Sequence, residues 1–315
     1  MPEILLGDKR VSDDSPCYVI AEIGHNHGGS MSTCFEMIDA AHACGCDAVK
    51  LQKRDNKELY TEAFYNSPYN SPHSYGRTYG EHREALEFGQ FEYDAIREYC
   101  RVKGIGFACT AFDIPSAKFL ARLGGLSFIK IASGDLTNRP LLEEVAKFGH
   151  PVIFSTGGAR SMSQVLDTYN LLRSHGGEVG VLQCTSGYPA AWDELNLRCI
   201  ESLREAMPDA IVGWSMHARG ISQAVSAYTL GARIIEAHFT LDRYAKGTDQ
   251  AMSLEPDGMA SMIRYLGYCH KALGDGVKRR YPSENAALNK QAKNSDGKVD
   301  GRSFHPSIVE QVFGD

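Results

Sequence analysis

Residues Ile234 to Ser253 read IIEAHFTLDRYAKGTDQAMS. The run from Arg233 to Ala237 has the apolar, β-branched character of a buried strand. It surfaces at His238 and passes into a loop of Asp, Lys, Gly and Thr around Asp249. A strand whose C-terminal end opens onto imidazole and carboxylate is the arrangement of an active-site strand in a parallel α/β barrel. The fold therefore turns on whether other strands end the same way.

Seven further apolar runs precede it: Tyr18 to Ile23, Ala48 to Gln52, Gly106 to Thr110, Phe128 to Ala132, Val152 to Thr156, Val179 to Cys184 and Ile211 to Ser215. Amphipathic stretches alternate with them: Ser32 to Cys44, Phe91 to Lys103, Ser116 to Leu123, Pro140 to Phe148, Ser161 to His175, Leu195 to Ala206, Ile221 to Leu230 and Asp257 to Leu273. Eight strands each followed by a helix predict an α/β fold of the (β/α)8, or TIM-barrel, class. The rival, an open doubly wound sheet, lacks its Gly-x-Gly-x-x-Gly fingerprint after the first strand. Residues 1–15 read as an N-terminal hairpin around Gly7-Asp8 that caps one end, residues 16–284 as the barrel, and residues 285–315 as a polar, extended tail suited to an oligomer contact. One connection, Lys53 to about Gly89, is long, polar and rich in Tyr, Asn, Ser and Pro. Such a segment is either a lid over the mouth or a plain surface loop.

Composition narrows the partners. A chain of 315 residues with a net charge of -6 and no basic run has no electrostatic footprint for nucleic acid. No apolar run reaches membrane-spanning length, and the N-terminal MPEILLGDKR has no signal-peptide layout. Nine scattered cysteines without a Cys-x-x-Cys pair read as reduced thiols. A cytoplasmic protein acting on a small molecule is expected.

The strand ends carry the chemistry. The first ends AEIGHNHGG, with Glu22 on the strand and Asn26 and His27 in a glycine turn; the second ends VKLQK, where Lys50 and Gln52 face one way. The fourth places Lys130, Ser133 and Asp135 near the mouth, and the fifth Ser155 and Thr156. Taken singly, either lysine is explained by a structural ion pair with Glu22 or Asp135. Two inward lysines among hydroxyls and glycine-turn amides point instead to a bound phosphate or carboxylate. The seventh and eighth strands end WSMHA and EAHFT, so His217 and His238 occupy equivalent positions on neighbouring strands and can share one divalent ion with open positions. His25 and His27 form a rival pair, but they lie in a turn where His27 more often fixes backbone. Cys109 and Cys184 adjoin strand ends without a sequence cue for a base and read as structural.

Taken in order, AEIGHNHGG, VKLQ, CTAF, KIASGD, FSTGG, QCTSGYP, the His217 turn and EAHFT followed by Asp249 resemble the sialic acid synthases and, more broadly, the phosphoenolpyruvate-dependent nonulosonate synthases. The resemblance spans roughly residues 17 to 280. It implies metal-dependent condensation of phosphoenolpyruvate with an open-chain aldose, such as N-acetylmannosamine or its 6-phosphate, to a 2-keto-3-deoxy sugar acid and phosphate. It also implies Mn2+, or Mg2+ or Co2+, on His217 and His238. Lys50, Thr110, Lys130, Ser133, Ser155 and Ser215 would hold phosphoenolpyruvate. Glu22, Gln52, Asp135, Tyr188 and Asp249 would hold the sugar, with Glu22, Asp135 and Asp249 also managing protons. A homodimer is the implied assembly.

The chain departs from the family pattern at Asp135 for Glu, Ser186 for a substrate-binding Asn, Met216 for Asp and Ala237 for Arg. Met216 and Ala237 should point away from the metal histidines, on the opposite faces of their strands. The family's C-terminal antifreeze-like domain, which brings an arginine to the acyl-amino group of the sugar, has no counterpart before the chain stops. Either a separately encoded domain or the tail with Arg302 replaces that contact, or acceptor specificity is altered. Two other readings remain open: an aldolase or isomerase, metal-dependent or using a Lys130 Schiff base, and a catalytically inactive sugar-binding protein.

Overall fold

In the computed structural model, which describes residues 2–299, two antiparallel strands come first. These are β1 (Glu3–Leu6) and β2 (Lys9–Ser12), joined across a turn where Gly7 takes a φ of 67°. Eight more strands follow: β3 (Tyr18–Gly24), β4 (Ala48–Lys53), β5 (Gly106–Ala111), β6 (Phe128–Ile131), β7 (Val152–Ser155), β8 (Val179–Cys184), β9 (Ile211–Met216) and β10 (Ile234–His238). All eight pair in parallel, in chain order, and β10 closes the barrel against β3. The predicted (β/α)8 architecture is the one observed. The chain divides into two compact units, Met1–Ala272 and Leu273–Asp315. The second contains the helix Asn285–Gln291 where an extended tail was expected, and Arg302 lies outside the described residues. Among the described residues no helix is long and apolar enough to cross a membrane.

The barrel strands alternate strictly, and the alternation creates two different interiors. Outward positions such as Val49, Leu51, Ile129, Phe154, Trp214, Met216 and Ala237 pack in one core with the helices. Inward positions begin apolar: Ile20, Ala48, Ala108, Phe128, Ile153, Leu182, Ile211 and Ile234 form a second core with Ile4, Leu6 and Val11 of the hairpin. The hairpin therefore plugs the N-terminal end of the barrel. Two residues further along β3, β4, β5, β6, β7 and β10 the inward face becomes Glu22, Lys50, Thr110, Lys130, Ser155 and Glu236, each no more than 4% exposed. An apolar plug below a polar layer leaves reactive groups only at the C-terminal mouth.

Local signals set the helix limits. Ser30 caps the helix Met31–Cys44 by accepting from the Thr33 backbone N–H, and left-handed Gly45 ends it. The helix expected over Leu195–Ala206 is shortened to Cys199–Ala206, because Asn196 takes a φ of 42° that helical backbone excludes. The long connection after β4 is less irregular than its composition suggests. It contains three short helices, Asn56–Leu59, Glu62–Tyr65 and Tyr79–Glu84, joined by packing of Tyr60, Phe64, Tyr69 and Tyr79. It reaches across the mouth to the loop after β10, where the Tyr75 hydroxyl donates to the Lys246 carbonyl at 2.7 Å.

Candidate active site

At the C-terminal mouth the polar layer opens into a cavity of about 370 Å³. Its floor is a cluster of four buried charges. Lys50 Nζ lies 2.7 Å from Glu22 Oε2, 2.7 Å from Thr110 Oγ1 and 3.8 Å from Glu236 Oε2. Lys130 Nζ donates to both oxygens of Glu236 at 3.1 Å and to Ser155 Oγ at 2.8 Å, while Ser215 Oγ donates to Glu236 Oε1 at 3.0 Å. Two cations balance two anions, which is the condition for burying them together. The two carboxylates nevertheless differ. Burial opposes the charge on Glu236, but Lys130 and Lys50 outweigh it and hold the carboxyl down at about 2. Burial raises Glu22 above the ordinary range despite Lys50. Glu236 is thus a fixed charge and Glu22 an exchangeable one.

His217 and His238 face this floor from β9 and β10, their rings 5.3 Å apart between centroids. His217 Nδ1 sits 3.0 Å from the Thr185 carbonyl, a contact that fixes the ring and leaves Nε2 for the cavity. Burial lowers His238 to about 4, against the pull of the Asp249 carboxylate, which favours the charged ring. Its Nδ1 is buried without a hydrogen bond and lies 3.7 Å from Asp249 Oδ2. A neutral imidazole with a free buried nitrogen beside a carboxylate suits a divalent cation. Among the described residues no group of three or more His, Cys, Asp or Glu side chains is placed to hold an ion. Two imidazoles alone leave several coordination positions for water or substrate. The Tyr188 ring stacks obliquely on His217 at 4.3 Å between centroids.

The remaining wall comes from β4 and the long connection. Gln52 bridges floor and wall: its Nε2 donates to Glu22 Oε1 at 2.6 Å, and its Oε1 accepts from Arg54 Nη2 at 2.7 Å. Arg54 lies over the Phe112 ring, and Arg83 enters from the helix Tyr79–Glu84.

Most of the residues singled out in the sequence meet here: Glu22, Lys50, Gln52, Thr110, Lys130, Ser133, Ser155, Ser186, Tyr188, Ser215, His217, His238 and Asp249 all line the one cavity. Asp135 is not among the lining residues. It ends a 3-10 turn, Ser133–Asp135, in which the two-residue strand period no longer applies, and its carboxylate accepts from Asn138 Nδ2 at 2.9 Å. The partner of Lys130 is accordingly Glu236 and not Asp135. His25 and His27 do not converge on one point: His27 stacks on Phe88 and accepts from the Gly29 N–H, while His25 meets Arg54 and Arg83. Cys109 packs in the helix-facing core, whereas Cys184 faces inward with its sulfur 3.6 Å from His217 Nδ1. That neighbour stands 33 residues away on the next strand, so no local spacing announces it.

Glu236, Arg54 and Arg83 were missed. Glu236 had a signal: it stands two before His238 on the same strand and must share its face. Arg54 had a weaker one, standing two after Gln52 just past the end of β4, whereas Arg83 had none, because its position depends on how the connection folds back.

Gly157 supplies a direct check on the cavity shape. A Cβ there would collide with the Ser133 and Ser186 hydroxyls, and the Gly157 N–H already donates to Ser133 Oγ at 3.1 Å. Gly157→Ala is expected to displace both serines and to weaken binding of an anionic ligand about 10-fold, roughly the loss of one charge-assisted hydrogen bond. Calorimetric titration with a phosphate ester measures it, and unchanged affinity would remove Ser133 and Ser186 from the binding surface.

Comparison with known proteins identifies a family. The family model described as NeuB family matches residues 37–278. The human N-acetylneuraminate-9-phosphate synthase is 38% identical over 92% of this chain and 80% of its own length. The N,N'-diacetyllegionaminic acid synthase of Campylobacter jejuni is 33% identical over 90% of this chain and 85% of its own. Among solved structures, the N-acetylneuraminic acid synthetase of Leptospira borgpetersenii in complex with citrate superposes with a TM-score of 0.77 at 32% identity, covering 91% of this chain and 95% of that one.

Proposed function

This chain belongs to the NeuB family, and on that premise we propose that it joins phosphoenolpyruvate to the aldehyde of an open-chain aldose, releasing inorganic phosphate and a 2-keto-3-deoxy sugar acid. The observation that carries the reading is the pairing, across one cavity, of a two-lysine floor lined with hydroxyls and a two-histidine wall beside Asp249. The floor suits the phosphate and carboxylate of phosphoenolpyruvate, and the wall suits a carbonyl oxygen that gains charge.

The residues divide the steps. Lys50 and Lys130, with Thr110, Ser155 and Ser215, hold phosphoenolpyruvate so that its C3 meets the aldehyde carbon. A divalent ion on His217 and His238, if bound, supplies a Lewis acid for the aldehyde oxygen. As the carbon–carbon bond forms, the aldehyde π pair moves to its oxygen, which takes a proton, and C2 becomes cationic. The permanently ionised Glu236 lies beneath that cation and stabilises it. A water adds at C2 and gives its proton to Glu22, the carboxylate whose raised affinity lets it accept one. Cleavage of the bond between C2 and the phosphate oxygen, with the remaining C2 hydroxyl proton passing to the departing phosphate, then leaves the ketone and hydrogen phosphate. Asp249 and Gln52 orient the sugar hydroxyls.

A Schiff-base aldolase gains one point from burial, which favours neutral Lys130. Against it, three acceptors, two from Glu236 and one from Ser155, occupy the Lys130 amine. Phosphate release from phosphoenolpyruvate, measured against a panel of aldoses with Mn2+ and with chelator, decides between them. Release that requires the aldose is expected. Aldose cleavage or pyruvate formation without phosphoenolpyruvate would establish the aldolase instead.

A further inference from the structure

Asp249 approaches His238 from the loop after β10, and the two sides of that loop are held differently. Its C-terminal side is tied to the turn after β3 by buried groups. Gln250 Nε2 donates to the Asn26 carbonyl at 3.0 Å; Ser253 Oγ accepts from Asn26 Nδ2 at 2.9 Å and donates to the Asp249 carbonyl at 2.7 Å. The N-terminal side is exposed, Tyr244 almost completely, and its anchors come from the long connection. The Tyr75 hydroxyl donates to the Lys246 carbonyl at 2.7 Å, Lys246 Nζ lies 4.5 Å over the Tyr75 ring centroid, and the Gly247 N–H donates to His73 Nδ1 at 3.4 Å. These contacts fall just before Asp249. Releasing them would return backbone freedom to the stretch that carries its carboxylate.

Tyr75 is itself fixed. Its backbone N–H donates at 3.2 Å to Nδ1 of His82, a buried ring packed on Tyr69 at 4.8 Å between centroids. Its hydroxyl rests against the turn after β3, where a Cβ on Gly28 would come within 3.1 Å of it. Gly29, at a φ of 79°, brings the turn so close to the Ala85 carbonyl of the connection that any Cβ there would collide. The connection is thus seated on the turn and presents Tyr75 as a fixed donor. Tyr75, His73 and Lys246 are not among the residues lining the cavity, whereas Thr248 and Asp249 are. Any effect of Tyr75 on the chemistry therefore passes through the loop.

We propose that Tyr75 is a positioning residue: by latching the loop after β10 to the connection, it holds Asp249 at His238 and at the acceptor sugar. The part played in turnover rests on the condensation reading above; the latch itself does not.

The test is Tyr75→Phe, which keeps the ring over Lys246 and deletes only the donor, with His73→Ala as an independent break in the same latch and thermal melting to confirm folding. In both variants the backbone amides from Lys246 to Asp249 should exchange with deuterium about 10-fold faster, the effect of losing one local hydrogen bond. In Tyr75→Phe the KM of the aldose that supports phosphate release should rise about 10-fold, while that of phosphoenolpyruvate stays within about two-fold. The split is expected because Lys50 and Lys130 stand on barrel strands that the latch does not touch, and a general loss of folding would not produce it. Equal rises for both substrates, or an unchanged aldose KM, would overturn the positioning role. Exchange needs no turnover and so separates the two proposals. Faster exchange in Tyr75→Phe of a protein that releases no phosphate with any aldose retains the latch and removes the condensation. Unchanged exchange in a turnover-competent protein removes the latch alone.

Discussion

Glu236→Ala is expected to destabilise the protein by about 3–5 kcal/mol, the usual cost of removing one partner from a buried ion pair. The truncation would leave Lys130 Nζ with Ser155 alone and deprive Lys50 of its second anion, with both ammonium groups no more than 3% exposed. Urea unfolding measures the loss, and a midpoint equal to wild type would show that the cluster is not held by Glu236. The pH dependence has a definite sign. A carboxyl depressed from 4.5 to about 2 on folding contributes stability that is fully present above pH 4.5 and is lost as pH falls toward 2. Glu236→Gln should therefore lower stability above pH 4.5, flatten the acid limb in that window and converge on wild type as pH approaches 2. A double change of Lys130→Met with Glu236→Leu should recover much of the stability, because apolar pairs of similar volume often replace buried ion pairs without loss. Phosphate release should stay abolished in the double variant, which separates the folding role of the pair from its chemical one.

That cluster also shows where sequence reasoning stops. Apolar runs ending in Glu22, Lys50, Lys130 and His238 were legible because a strand in a closed barrel has only two faces, and a two-residue period assigns them. The same rule placed Met216 and Ala237 on the helix-facing side, where both are buried. Their difference from the family pattern thus leaves the cavity surface unaltered. Glu236 obeyed the rule but stood inside a run read as apolar. Asp135 escaped it, since a 3-10 turn follows β6 and rotates the carboxylate away. Arg83 lies outside its reach altogether: it comes from a connection whose tyrosine packing, visible only in three dimensions, folds it over the mouth.

His238→Ala should lower kcat/KM for aldose-dependent phosphate release by about 10³-fold, a loss of several kcal/mol of charge stabilisation at the aldehyde oxygen. The argument begins from the imidazole, not from the ion. Burial holds His238 neutral down to about pH 4, so its free nitrogen is a lone-pair donor throughout the neutral range. An ordinary core histidine would hydrogen-bond that nitrogen, but here it lies buried and unpartnered, 3.7 Å from the Asp249 carboxylate. A cation between them would satisfy both groups. Mn2+ binding, followed by the spin-relaxation enhancement of water protons, should accordingly be lost in His238→Ala and in His217→Ala. In His25→Ala it should persist, since that ring is committed to Arg54 and Arg83. Retention of Mn2+ by His238→Ala together with its loss in His25→Ala would move the ion to the first strand's turn.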